Sequence, residues 1–122
     1  MAMHNRRLGK RGEDIAERYL VSLGMETLER NFHIWGGEID IVAKDGDTYV
    51  FAEVKTRTNT RYGTGTEAIT KRKMRLLART AEAYAASRGI LEKPMRFDVL
   101  EINIDVFGDP SIRYVKNAQI DA

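Results

Sequence analysis

The chain has no cysteine, which excludes a disulfide framework, a thiolate metal site and a thiol nucleophile. Its two histidines, His4 and His33, are too few and too isolated for a zinc site or a Ser-His-Asp constellation. No apolar run exceeds four residues, Ala83 to Ala86 being one, far short of the roughly 20 that a membrane-spanning helix needs. The stretch from Met1 to Arg7 carries basic residues with no apolar segment behind them, which is not the pattern of a secretory signal. The expectation is therefore a soluble cytoplasmic protein with no membrane partner. At 122 residues and 43% hydrophobic content, one domain spanning 1–122 with a single core is the natural reading.

Net charge is only +2, but it is unevenly placed. Arg6, Arg7, Lys10 and Arg11 face no acid in the first twelve residues. Between 55 and 79, Lys55, Arg57, Arg61, Lys71, Arg72, Lys73, Arg75 and Arg79 are set against Glu67 alone, whereas the stretch from 98 onward is acidic. Taken singly, each cation reads equally well as part of a solvated helix face. As a cluster they suit a polyanion, because each phosphate contact adds salt-sensitive affinity.

What the chain does have is a pair of segments with charges in the wrong places. Gly37-Glu38-Ile39-Asp40-Ile41-Val42-Ala43 and Val50-Phe51-Ala52-Glu53-Val54-Lys55-Thr56-Arg57 read as two buried strands, yet Asp40, Glu53 and Lys55 lie inside them. Buried charges are costly unless paired or bound to a metal. Asp45-Gly46 between the runs signals a two-residue hairpin of the I′ kind. With Lys44 opposite Asp47, Val42 faces Tyr49, Asp40 faces Phe51 and Glu38 faces Glu53. Strand alternation then puts Asp40, Glu53 and Lys55 on one face, and Ile39, Ile41, Val50, Ala52 and Val54 on the other. Asp40 and Glu53 become diagonal neighbours roughly 7–8 Å apart at the backbone.

Two carboxylates at that spacing can share a divalent cation. A hard ion such as Mg²⁺ takes oxygen ligands, keeps several waters, and uses one or two carboxylates plus substrate phosphate. Asp40, Glu53 and the backbone carbonyl of Val54 would supply the protein's share. Lys55, beside the ion and depressed in pKa by it, would position or deprotonate a water. Glu-x-Lys by itself is a common surface ion pair; its combination with Asp40 on the partner strand points to a site.

Helical periodicity runs from Leu8 to Leu23, with Leu8, Gly12, Ile15, Ala16, Tyr19 and Leu23 on one stripe and Gly24 as the stop. Glu13 lies at the edge of that stripe, free to reach a site at the sheet edge or to pair with Arg6, Lys10 or Arg18. Met25 to Ile34 reads as a strand ended by Trp35-Gly36-Gly37, with Trp35 packing at the turn in preference to stacking a base. Thr58 to Thr66 reads as a substrate-contacting loop. A second helix from about Thr70 to Arg88-Gly89 buries Met74, Leu77, Ala78, Ala81 and Ala85. Lys71, Arg72 and Lys73 in its first turn oppose the helix dipole, a local cost with no evident structural return that hints at an anionic partner. Strands at about 95–105 and 111–117 follow. The architecture expected is α/β, a mixed sheet of about five strands flanked by two helices.

Several motifs together carry a resemblance. Gly9-x-x-Gly12-Glu13, Arg30-Asn31-Phe32, Gly37 to Ala43, Phe51 to Arg57, Glu67-Ala68-Ile69-Thr70-x-x-Lys73 and Arg96-Phe97-Asp98-Val99 resemble the YraN family of small bacterial predicted endonucleases, over nearly the whole chain. That family is placed in the PD-(D/E)xK nuclease superfamily and is similar to archaeal Holliday junction resolvases. The resemblance implies a restriction-endonuclease-like αβββαβ core with Asp40, Glu53 and Lys55 as the signature residues. It also implies Glu13 as a further catalytic carboxylate and metal ligand. The function expected is a Mg²⁺- or Mn²⁺-dependent endonuclease acting on DNA ahead of RNA, branched or structured DNA included, with Arg57, Arg61, Lys71, Lys73, Lys10 and Arg11 holding the nucleic acid. Junction cleavage would favour a two-fold homodimer. The competing expectation is a nucleic-acid-binding module that keeps the fold without turnover.

Overall fold

The computed structural model describes residues 2–58 and 70–118, with side chains from Arg6 onward. Arg61 and nearly all of the loop expected at 58–66 lie outside the described residues, as does Glu67-Ala68-Ile69. The elements run α1 (Ala2–Ser22), β1 (Glu26–Ile34), β2 (Gly37–Asp45), β3 (Thr48–Thr58), α2 (Lys71–Arg88), β4 (Met95–Ile104) and β5 (Pro110–Val115). The strands form one sheet in the order β1-β2-β3-β4-β5. The first three make an antiparallel meander, β3 and β4 pair in parallel through the α2 crossover, and β5 returns antiparallel. This is the mixed, two-helix α/β architecture expected of a restriction-endonuclease-like fold. Neither helix among the described residues is long and apolar enough to cross a membrane.

Two apolar layers sandwich the sheet. Ile15, Ala16 and Leu20 of α1 pack with Ile41, Ala43, Val50, Ala52, Leu100 and Ile102. On the other face, Leu77, Ala81, Tyr84 and Ala85 of α2 pack with Ile39, Val42 and Phe51. Tyr84 meets Phe32 and Phe51 edge-on at ring separations of 5.1 and 5.8 Å, the arrangement that ring quadrupoles favour. Both helical stripes differ from the periodic reading by a small rotation. Leu20 is buried while Leu23, beyond the helix end, is 47% exposed. Thr80 and Tyr84 are buried while Ala78 is exposed. Thr80 satisfies its hydroxyl on the carbonyl of Leu76, which removes the objection to burying it.

Close approach explains two glycines. A Cβ on Gly12 would lie 1.8 Å from Thr56 Oγ1, so α1 rests directly on β3. A Cβ on Gly37 would lie 2.1 Å from Thr80 Oγ1, so the start of β2 rests directly on α2.

The hairpin register differs from the expectation by two residues. Asp45 faces Thr48, Lys44 faces Tyr49 and Val42 faces Phe51. Gly46 and Asp47 are the central residues, and only Gly46 has positive φ, +62°. That is the φ pattern of a II′ turn, which needs glycine at the first central position. Asp45 closes the turn with its carboxylate held by Arg96 on β4 at 3.0 Å.

A second departure lies beside it. Phe32 faces Ile39 and Arg30 faces Ile41, as a regular ladder requires, yet Phe32 and Ile39 pack on α2 whereas Ile41 packs on α1, the helix whose acids hold Arg30. Both strands change face at the intervening residues, Asn31 and Asp40. Asn31 takes φ +55°, the left-handed conformation that asparagine tolerates better than most residues. Ile39 therefore does not share a face with Ile41.

Beyond the site, Asp98 is fully buried and bound by Arg96 Nε at 3.1 Å, by the Asn117 amide at 2.9 Å and by the hydroxyl of Tyr114. It joins β4, β5 and the segment after β5. Trp35 does not pack at its turn: it is 96% exposed.

Candidate functional site

The strand irregularity at Asp40 sets the geometry of the site. The β2–β3 ladder ends at Ile41 and Ala52, and Asp40 and Glu53 are the next residues on each strand. Freed from the ladder, Asp40 accepts the Val54 amide through Oδ2 at 2.8 Å. Glu53 follows β3 alternation and faces α2, where Lys73 Nζ meets its Oε2 at 3.2 Å. Asp40, Glu53, Val54 and Lys73 line one cleft of about 450 Å³ with Gly36, Gly37, Glu38, Leu76 and Leu77. The structure thus brings Asp40, Glu53, Val54 and Lys73 together. Lys73 also has a structural return for its unfavourable place in the first turn of α2, which the sequence alone did not offer.

Electrostatics single out Asp40. Burial pushes its pKa from 3.8 up to about 7; the Val54 amide opposes this, and the negative charges of Glu53, Glu13 and Glu38 add to it. A half-buried carboxyl amid three other acids is short of positive charge, the condition a bound cation relieves. The donors are all oxygens, the chemistry a hard divalent ion prefers. Among the described residues no three acids or histidines stand close enough together to hold a metal between them. A pair of carboxylates, with waters and substrate completing the shell, is what these residues fit.

Glu13 is held on the α1 side. Arg30 Nη2 donates to its Oε1 at 3.2 Å and Asn31 Nδ2 at 3.1 Å, while Arg30 also binds Asp14 and Glu17, each at 2.9 Å. Glu13 lines two separate cavities, one with Lys10 and Arg30 and one with Val54 and Thr56. Asn31 Nδ2 also reaches Glu38 Oε2 at 3.4 Å, tying Glu13 to the acid cluster. Lys55 lies two residues beyond Glu53, half-buried and paired in register with buried Glu101 on β4. It does not line the cleft. Arg57 continues the same row, Lys71 is exposed at the start of α2, Lys10 pairs with Asp14 at 3.4 Å, and Arg11 donates to the carbonyl of Gly108.

Residues 12–102 match the family model described as "Uncharacterised protein family UPF0102". The chain belongs to UPF0102. A UPF0102 protein of Geobacter sulfurreducens is 45% identical over 115 residues, 94% of this chain and 90% of that one. A UPF0102 protein of Symbiobacterium thermophilum is 44% identical over 114 residues, 93% and 97% respectively. The matched segment contains Glu13 and Lys55 as well as every residue that lines the cleft.

Two participants escaped the sequence reading. Asn31 carries a turn-like backbone inside a strand, and a paired Arg-Asn in an otherwise alternating strand is the only local signal for it. Glu38 borders the cleft and raises Asp40, a role its place two residues before Asp40 could have suggested.

Proposed function

We propose that this UPF0102 protein is a metal-dependent endonuclease of the PD-(D/E)xK type that hydrolyses phosphodiester bonds in DNA, structured or branched DNA included. The observation that carries the reading is the convergence of Asp40 and Glu53 on one cleft where burial and neighbouring acids raise the Asp40 pKa to about 7. Asp40, Glu53 and the Val54 carbonyl would hold Mg²⁺ or Mn²⁺, with Glu13 in reserve across the sheet edge. When bound, the ion supplies the Lewis acidity that a phosphodiester and its attacking water need. Lys55, on the Glu53 face of β3 and beside the cleft lining, would reach in to orient that water. Lys71 and Lys73 at the head of α2, with Arg57 and Arg61, bind the flanking phosphates, and Lys10 and Arg11 extend the basic surface along α1.

The test is incubation with linear, flapped, gapped and four-way DNAs, with and without Mn²⁺, alongside Glu53→Ala and Asp40→Ala. Cleavage is expected to depend on the metal and to fall in both variants by more than the roughly 10–100-fold that loss of a merely supporting residue produces. Binding in EDTA is expected to persist. Full metal-dependent cutting by either variant overturns the assignment. Cutting of four-way DNA at paired positions would call for a homodimer.

A second reading, a nucleic-acid-binding module without turnover, is favoured by the Lys73–Glu53 contact, in which a cation of the chain itself already answers one acid. Mn²⁺ titration separates the two: a module of that kind leaves Asp40 and Glu53 unbound at millimolar metal.

A further inference from the structure

Trp35 is the only tryptophan in the chain, and its side chain is 96% exposed. Trp35 and Gly36 are the central residues of the β1–β2 turn, closed by the Ile34–Gly37 pair, with Gly36 at φ +86°. The turn is held by backbone: Gly37 sits so close to Thr80 and Leu76 of α2 that no side chain fits there. An aromatic ring of this size is normally among the most buried groups of a small domain. Here it projects from an anchored turn whose next two residues line the acid cleft.

The neighbouring surface tells what would cover it. Lys71, Arg72, Lys73, Arg75 and Arg79 of α2 are all exposed, and no acid interrupts them before Glu82. By helical spacing, Arg72, Arg75 and Arg79 form a row beside Leu76 and Thr80, the residues on which the turn rests. A positive track with an aromatic ring at its edge is how proteins hold unpaired strands: phosphates run along the cations while a base lies flat on the ring.

We propose that Trp35 is a stacking platform for an unpaired base next to the phosphate in the Asp40–Glu53 cleft, so that the substrate is DNA with single-stranded or splayed nucleotides rather than continuous duplex. This deepens the nuclease reading and rests on it for the identity of the cleft. A duplex keeps its bases stacked on one another and offers the ring nothing.

The lone tryptophan makes the test direct. Intrinsic fluorescence is followed in EDTA, where no cutting occurs, while three probes are added: a 20-nucleotide oligo-dT, an abasic strand of the same length, and a blunt 20-base-pair duplex. The oligo-dT is expected to quench Trp35, and the abasic strand to bind through its phosphates without quenching. Trp35→Ala, at a position 96% exposed, is expected to weaken oligo-dT binding roughly 5- to 150-fold. Its binding of the abasic strand and the duplex should stay within twofold, and Trp35→Phe should recover most of the loss. Oligo-dT binding without quenching, or an equal loss of all three probes in Trp35→Ala, overturns the stacking role. Quenching with no cleavage in Mn²⁺ overturns the nuclease reading and leaves the platform standing; failure of every probe to bind overturns both.

Discussion

Replacing Asp40 by Asn should make the metal-free protein more stable, and the gain should depend on pH in a way fixed by the site. Asp40 binds its proton with a pKa of about 7 in the folded chain against 3.8 ordinarily, chiefly because it is buried, and further because Glu53, Glu13 and Glu38 surround it. A folded state that holds a proton more tightly than the unfolded chain loses stability as pH rises between those two values. Well below 3.8 the carboxyl is neutral in both states and Asp40 carries no penalty; above about 7 the penalty is complete. At 1.36 kcal/mol for each tenfold change in proton concentration, the interval from 3.8 to about 7 is worth about 4 kcal/mol, and water reaching the half-buried group lowers this to about 2–4 kcal/mol. Asn keeps the shape and an oxygen for the Val54 amide, so the comparison isolates the charge. Urea unfolding in EDTA at pH 4, 6 and 8 measures it. Near pH 4 the two proteins should lie within about 0.5 kcal/mol of each other, and by pH 8 the Asn variant should lead by that amount with an unchanged denaturant slope. Mn²⁺ at pH 8 should then raise the wild type and leave the variant where it was. A difference that does not vary with pH, or a wild type more stable than the variant at pH 8 in EDTA, would refute the electrostatic account of the site.

Two further outcomes test the frame around it. Gly12→Ala should destabilise by about 1–3 kcal/mol despite the roughly 1 kcal/mol that alanine gains in a helix, because its Cβ meets Thr56. In urea unfolding the pair Gly12→Ala with Thr56→Ala should be non-additive by about 1 kcal/mol in the relieving direction; strict additivity would mean that α1 and β3 are not in the contact described. Asp98→Ala should lose about 2–4 kcal/mol of unfolding free energy, since Arg96 keeps only Asp45 as its anion and Tyr114 and Asn117 lose their buried acceptor. A loss below about 1 kcal/mol would rule out that role.

The element order and sheet class were legible because each segment carries a strong local signal: the apolar stripe of α1, Gly24 and Gly89 as helix ends, and two apolar runs around a glycine turn. The hairpin register was not, since Asp45-Gly46 and Gly46-Asp47 are both acceptable loops by local chemistry. The observed register places Asp45 against Arg96, 51 positions further along, a contact that no local pattern contains. Because the displacement is two residues, it preserves alternation, and Asp40 and Glu53 remain on adjoining strands at one cleft. The change of face at Asn31 and Asp40 was invisible to a rule that assumes uniform alternation, and it misplaced Ile39. Trp35 was misjudged for the opposite reason. Composition says that tryptophans are buried, and only the docking of Gly37 on Thr80 shows that this turn is secured without its ring.

The change of face along β2 has a dynamic consequence. Ile39 is locked into the layer under α2 and Ile41 into the layer under α1, with Asp40 as the pivot between them. Neither helix can lift off its side of the sheet without pulling on that pivot, so fraying of one layer and disruption of the acid pair are a single event. Amide protons of Ile39 and Ile41, buried on opposite faces, should accordingly exchange late, with Asp40 outside the β2–β3 ladder exchanging ahead of them, and a ligand gripping Asp40 would slow exchange in both layers at once.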